Sequence, residues 1–579
     1  MDLQQKLTCV FIIIFALLMG IGAHYFQHNQ GGSGLELAQN NVVWIFFSVL
    51  ISLGLWKITV QQKIFYSRFT VVLLSAFILF YIPLFYPNNE LADQSYTRLI
   101  GLFAGILLFI SLQQFQFDKK NLEKLLLLIV LAGFIQACYS LMQDYLLPAN
   151  NIFGYDVGYG RPYGIFQQPN VLASFMATTL ILAGYLLQQI KDKKLQIFLL
   201  LSALLNMWVI TITVSRTGYL GLLIAFVLFI PWAWQSSKRK FGIFILAIFL
   251  GLGLASTKGG DILGKRNIAN MTEGGGRLTH YSNSWDMIKK HPLIGYGYGG
   301  FEKNYLINTA ERVKNSKSKP EHQHLTHPHN EILFWAIEGG VVPIVAILLL
   351  VIAFIHLLGK FRLTHAMALS TLVIPIAVHT QTEYPFYHSA LHWLVLLVLV
   401  FYIDSQSENS RQKMFRPTFA LRAVALLTPL FTTLFMLSNL HTISKITAYE
   451  RNEKPNIQLL LDVVNPLVFA DRFEFHLNNF RLRLASQMDQ PEDLQKIIDS
   501  TEKTIESKPK AFFYTILYFA YLNNQQPEKA QKTLDYALYL YPEDHQLANI
   551  DKQTSQAAAS SSAQASPVNV NEEKKITEQ

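Results

Sequence analysis

Runs of apolar residues recur from Leu7 to Leu440, separated by short polar connections. Most are about 18 residues or longer, enough to cross ~30 Å of hydrocarbon as a helix. They predict an all-α polytopic membrane protein with about 13 transmembrane helices, at 7–25, 41–58, 69–86, 98–114, 123–146, 170–188, 195–214, 217–234, 241–256, 331–357, 366–380, 389–403 and 417–440. The first span resembles a signal peptide in length. With twelve more spans behind it, a retained signal anchor is the expectation. The pattern changes after 440. Segments 492–507, 511–523 and 527–541 are amphipathic, with Pro509, Pro527 and Pro542 near their ends, and predict tetratricopeptide-like helix pairs. The expected organisation is a transmembrane domain 1–440 with a long loop 257–330, a small helical domain 441–550, and a disordered tail 551–579 rich first in Ala, Ser and Gln.

Charge gives the chain a direction. Lys57, Lys63 and Arg68, then Lys119, Lys120 and Lys124, Lys191, Lys193 and Lys194, Lys238, Arg239 and Lys240, Lys360 and Arg362, and Arg411, Lys413 and Arg416 fall on every second connection. The short loops of the other side hold only Arg98, Arg161 and Arg216. Basic loops stay cytoplasmic, so the N-terminus is expected inside and the long loop and C-terminal domain outside. The net charge of +9 follows from these loops, and no nucleic-acid partner is expected. Composition agrees: 51% of residues are hydrophobic and 15% charged, against about 25% charged in soluble proteins. Cys9 and Cys138 lie inside apolar runs and read as small packed side chains, not a disulfide.

Four polar clusters fall at the outer ends of spans: RPYGIFQQPN at 161–170, SRTG at 215–218, the long loop from GGGR at 274–277 through HPLIGYGYGGF to HQHLTHPHNE at 322–331, and HTQTEYPFYHS at 379–389. Asn170 and Asn330 suit helix N-caps. Helix N-termini expose free N–H groups and partial positive charge. Several such ends beside Arg161, Arg216 and Arg277 make an anion site. Taken alone, Arg161 and Arg216 each read better as anchors snorkelling to headgroups, and the tyrosines near 384–387 fit an aromatic belt; together the clusters point to the anion site. Four histidines, 322, 324, 327 and 329, suggest zinc, but no cysteine lies near, and no metal is expected. His327 and His329 beside an anion site suit proton transfer instead.

At these positions the chain resembles the lipid-linked oligosaccharide ligase and polymerase superfamily. It looks most like the bacterial protein O-oligosaccharyltransferases that glycosylate pilins (PglL-type). The residues that carry the resemblance are RPYGIFQQPNVLASF at 161–175, TVSRTGYLGLL at 213–223, Arg277 through Phe301, THPHNEILFWAIEGG at 326–340 and TEYPFYHSALHW at 382–393. The resemblance implies a multi-pass enzyme of the Gram-negative inner membrane, working on the periplasmic face. It would move a preassembled oligosaccharide from undecaprenyl diphosphate to Ser or Thr of a periplasmic protein such as a type IV pilin, without cofactor. It places an essential histidine in the His-Pro-His turn without choosing between the two; His329, next to the helix cap Asn330, is the first choice as general base and His327 the second. Arg216, Arg277 and Arg161 would hold the diphosphate. Gln168 and Tyr384, with Asn170 and Asn330, would contact glycan or acceptor. The alternatives are an O-antigen ligase acting on the lipid A core, an O-antigen polymerase and, more remotely, a transporter. A transporter concentrates its polar residues near the bilayer midplane. Here Glu338, beside Gly339 and Gly340, is the main polar residue inside a span.

Overall fold

The computed structural model describes residues 2–256, 276–315, 325–407, 410–416, 418–452, 456–488 and 490–564. The chain is an all-α polytopic membrane protein. Among the described residues, eleven helices are long and apolar enough to cross a membrane, and a bent pair makes a twelfth. The first nine predicted spans are single helices, from Leu3–His24 to Lys238–Ser256. The tenth breaks into Glu331–Gly339 and Val341–Leu358. Its break is Gly340, at φ +65°, where a Cβ would lie 2.2 Å from the Leu293 carbonyl oxygen. Only glycine allows that approach. The segment before Phe301 fills the break: Tyr296 N–H donates to Ile337 O at 2.8 Å, and Val341 N–H to Leu293 O at 3.2 Å. The eleventh span bends by 56° between Leu363–Thr371 and Ile374–Thr380, where Pro375 enters the first turn of the second half. The twelfth, Ala390–Ser405, has 16 residues, or ~24 Å. The last is the 33-residue helix Phe419–Arg451.

The chain forms two compact units, Met1–Phe301 with His327–Phe473, and Glu302–Thr326 with Glu474–Gln579. At the centre of the first lies the helix Pro169–Gln189, with 18 of its 21 residues buried. Its Ala173, Ala177 and Gly184 let neighbouring helices approach on all sides. A helix apolar all round is a core helix, and this one carries the first polar cluster at its N-terminal end. A two-stranded antiparallel ribbon pairs Lys63–Tyr66 with Arg411–Met414.

The second unit contains Pro491–Ser507, Ala511–Asn523 and Pro527–Leu540, within a residue of the three helices expected from amphipathicity. It also contains a helix from the long loop. Leu306 and Ala310 of Phe301–Lys314 share a core with Leu494, Ile498, Phe513, Leu517, Leu534 and Ala537. The long loop is thus partly helical, with Arg277–Lys290 as a second helix. The last helix, His545–Gln564, continues past residue 551, where a tail was expected; 565–579 lie outside the described residues. Cys9 and Cys138 are free as expected, but both are exposed on the helix surfaces, because the apolar runs that hold them face outward there.

Candidate active site

Four helix N-termini meet at one place in the first unit. The helix Pro169–Gln189 is capped by Gln168, whose Oε1 accepts from Asn170 N–H at 2.5 Å and Val171 N–H at 3.0 Å. This corrects the expectation that Asn170 caps it. Pro169 is pre-set for the first helical position, so the helix begins one residue before Asn170. The Asn170 side chain is released to bridge two neighbours. Its Oδ1 accepts from Ser215 Oγ at 2.7 Å, and its Nδ2 donates to Glu383 Oε1 at 3.0 Å. Ser215 in turn caps Arg216–Ser236 through Gly218 N–H, which makes Arg216 the first helical residue. Thr217 Oγ1 lies 3.0 Å from Thr382 Oγ1. Arg277 opens Arg277–Lys290. Asn330 caps Glu331–Gly339 as expected, with Oδ1 accepting from Leu333 N–H, and its Nδ2 donates to Gln381 O at 3.1 Å.

Glu383 is the hub of this arrangement, and no motif argument singled it out. Its Oε1 accepts from Arg277 Nη2 at 2.5 Å as well as from Asn170. Its Oε2 lies 3.5 Å from His329 Nδ1, a charge-pair distance. The side chain is 7% exposed. Burial pushes the carboxyl pKa up, but His329, His379 and Arg277 outweigh it and hold the group down at about 2. The sequence shows only that an acidic residue falls in the short turn 381–384, on the face that carries the arginines; its partners come from distant positions. Arg161 is close by connectivity, with Nε donating to Thr213 O at 2.6 Å at the end of the helix Lys193–Thr213, two residues before Ser215.

The two histidines of the His-Pro-His turn have different environments. His327 is 3% exposed. Its Nδ1 accepts from His329 N–H at 3.0 Å, so the proton sits on Nε2, which faces Glu331 Oε2 at 3.3 Å. Burial lowers its pKa against the opposing effect of Glu331, which keeps the ring neutral. Both nitrogens are occupied. His329 is 22% exposed and adopts a left-handed φ of +57°, uncommon outside glycine. Its ring stacks on His280 with centroids 5.9 Å apart and meets Tyr384 edge-on at 5.1 Å. Tyr281 OH fixes the turn by donating to His329 O at 3.3 Å and Gln381 O at 3.0 Å. Only Nδ1 faces a charged neighbour. Nε2 has no hydrogen-bond partner among the described residues, so His329 is the ring able to take a proton from something that enters. Burial pushes the Tyr384 hydroxyl up to about 12, so it stays a neutral donor.

Beneath the turn lies a buried ion pair. Arg98 binds Glu338, with side chains 9% and 2% exposed, and its guanidinium sits over Tyr298, Phe334 and Trp335 at 5.2, 4.4 and 4.2 Å. Glu338 Oε1 also accepts from Phe301 N–H at 3.2 Å. Glu338 therefore clamps the end of the segment that fills the helix break. The spans hold more polar groups than expected. Ser174 Oγ lies 2.7 Å from His379 Nδ1 and 3.1 Å from His392 Nε2, and His392 Nδ1 lies 2.9 Å from Ser389 Oγ, all buried. His322, His324, Glu321, Gly274 and Gly275 lie outside the described residues. Among the described residues no His, Cys, Asp and Glu group is placed to hold a metal ion.

A family model described as "O-Antigen ligase" matches residues 197–348. One described as "Protein glycosylation ligase" matches 162–187, and "Virulence factor membrane-bound polymerase, C-terminal" matches 367–556. A curated relative from Acinetobacter baylyi (strain ATCC 33305 / BD413 / ADP1), named General O-oligosaccharyltransferase, is 22% identical over 499 residues, 82% of this chain and 83% of the relative. Over most of its length the chain is similar to a protein named as an O-oligosaccharyltransferase, and two of its segments match models of an O-antigen ligase and a protein glycosylation ligase, the kinds of enzyme its motifs resemble.

Proposed function

We propose that the protein transfers a preassembled oligosaccharide en bloc from a polyprenyl diphosphate, undecaprenyl diphosphate in bacteria, to a Ser or Thr hydroxyl of an acceptor protein. The observation that carries this is the meeting of Arg277 and His329 on one buried carboxylate, at a point where four helix N-termini converge. A diphosphate leaving group gains negative charge as its bond to the sugar breaks. Fixed cations and helix N-termini stabilise that charge in a dry site by several kcal/mol. The acceptor oxygen attacks the anomeric carbon, and its proton passes to His329 Nε2. The glycosyl–phosphate bond breaks and the lipid diphosphate departs on its original oxygen. Arg277, Arg216 and Arg161 bind the diphosphate. Gln168, Asn170, Asn330 and Tyr384 shape the glycan and acceptor side. His327 supports the turn.

The chain works in the inner membrane of a Gram-negative cell, with the N-terminus cytoplasmic and the site and C-terminus periplasmic. The acceptor is a periplasmic protein of the type IV pilin kind. The helical unit that begins at Glu474, rather than at the expected 441, gives it a surface, as helix-pair repeats do. The match to an O-antigen ligase model over 197–348 supports a second reading, transfer to the lipid A core. The curated relative's name and the match at 162–187 favour protein as the acceptor. The test is expression in cells that supply a lipid-linked glycan, with a pilin and with lipid A core as competing acceptors. The expected result is a glycan mass on the pilin, lost in His329→Ala at equal protein level. Glycan found only on the core would reject the protein acceptor.

A further inference from the structure

We infer that Glu383 is a positioning residue that sets the tautomer of His329, so that Nε2 presents a lone pair to the acceptor hydroxyl. This rests on the function proposed above. The carboxylate is buried, yet its two oxygens serve different partners: Oε1 takes Arg277 and Asn170, and Oε2 faces His329 Nδ1. A neutral imidazole carries one proton, on either nitrogen. A carboxylate beside Nδ1 favours the proton there, which leaves Nε2 as the acceptor. After the hydroxyl proton reaches Nε2, the same carboxylate faces the imidazolium cation. The proton count balances: one leaves the hydroxyl, one arrives at Nε2, and none moves to Glu383.

The surroundings support the assignment. Among the described residues, Arg277, His280, Tyr281, His327, Tyr384 and His388 are further titratable groups around His329. Glu383 is the acidic group among them that lies against Nδ1. Burial holds His388 down at about 4 and lowers His327, so both stay neutral and neither competes for the carboxylate as a cation. Arg277 on the other oxygen keeps Glu383 ionised, and Asn170, tied to Ser215, fixes its rotamer. Glu383 therefore joins the diphosphate-binding arginine to the proton-accepting histidine.

The test uses purified full-length enzyme with a lipid-linked oligosaccharide and an acceptor protein, comparing wild type, Glu383→Gln, Glu383→Asp and His329→Ala. Glu383→Gln should lower kcat by roughly 10²-fold or more, as loss of a histidine-orienting carboxylate does elsewhere. KM for the lipid donor should change by only a few-fold. Glu383→Asp, which keeps the charge, should recover much of the loss. Carbethoxylation of His329 at neutral pH, read by mass spectrometry, should slow in Glu383→Gln, because Nε2 then carries the proton. A Glu383→Gln kcat within about threefold of wild type, or a loss carried wholly by donor KM, would overturn the inference. If Glu383→Gln does not fold, the ring nitrogen shifts of His329 in 15N-histidine-labelled wild type decide: a protonated Nδ1 and bare Nε2 support the inference, and the reverse overturns it. Normal turnover in His329→Ala would instead reject the underlying proposal, and the carbethoxylation rates would still judge the Glu383–His329 pairing.

Discussion

The Arg98–Glu338 pair makes the sharpest stability prediction. Arg98 is 9% and Glu338 2% exposed, so removing either partner strands a charge away from water. Breaking a buried pair in this way costs about 3–5 kcal/mol. Arg98→Met also removes the guanidinium from three aromatic faces at 4.2–5.2 Å, each worth roughly 0.5–2 kcal/mol. It should therefore lie at the upper end of the range. Glu338→Leu also frees Phe301 N–H from its acceptor. The double variant Arg98→Met/Glu338→Leu leaves no stranded charge and should recover at least half of the summed loss. The assay is reversible unfolding of the purified protein in mixed micelles, analysed as a double-mutant cycle with a coupling of at least ~2 kcal/mol. Single variants within about 1 kcal/mol of wild type, or strictly additive losses, would refute the account of a buried, mutually dependent pair.

Three further outcomes follow from the site. Glu383 is held at about 2, below its ordinary 4.5. It adds stability that is fully present above pH 4.5 and lost as pH falls toward 2, so Glu383→Gln should flatten the melting temperature over that window; an unchanged slope would contradict the depressed value. Gly340→Ala should destabilise by more than the ~1–2 kcal/mol of a left-handed alanine, because its Cβ meets Leu293 O at 2.2 Å; unfolding in mixed micelles measures it, and a neutral effect would mean that the segment before Phe301 does not fill the break. His327→Ala loses two hydrogen bonds and should lower stability by about 1–3 kcal/mol while keeping measurable glycan transfer; complete loss of transfer in a folded protein would move the base role to His327.

Hydropathy carried the spans because a bilayer demands long apolar helices whatever their packing. It could not show that the tenth breaks at Gly340, since the break depends on Leu293 and Tyr296 arriving from a distant loop. The helix Phe301–Lys314 was hidden by the glycines before it, although Leu306 and Ala310 already had helical spacing. Within the site, Arg277, His329 and Asn330 were legible, because arginine, histidine and a cap residue each carry a recognisable chemistry. Asn170 was assigned to the wrong task by one residue, since Pro169 moved the helix start. Glu383 was invisible as a hub. Its role comes from three partners brought from positions 170, 277 and 329, and local spacing contains none of that.

The most direct test of the central claim is transfer by the purified protein in detergent or nanodiscs, given a defined polyprenyl-diphosphate oligosaccharide and a pilin-type acceptor. The acceptor's intact mass should rise by the whole glycan in one step, with stoichiometric release of the lipid diphosphate and no added metal or nucleotide. His329→Ala should abolish the shift while the protein remains folded. Stepwise addition of single sugars, or an unshifted acceptor beside elongated lipid-linked glycan, would contradict the account and point to a polymerase.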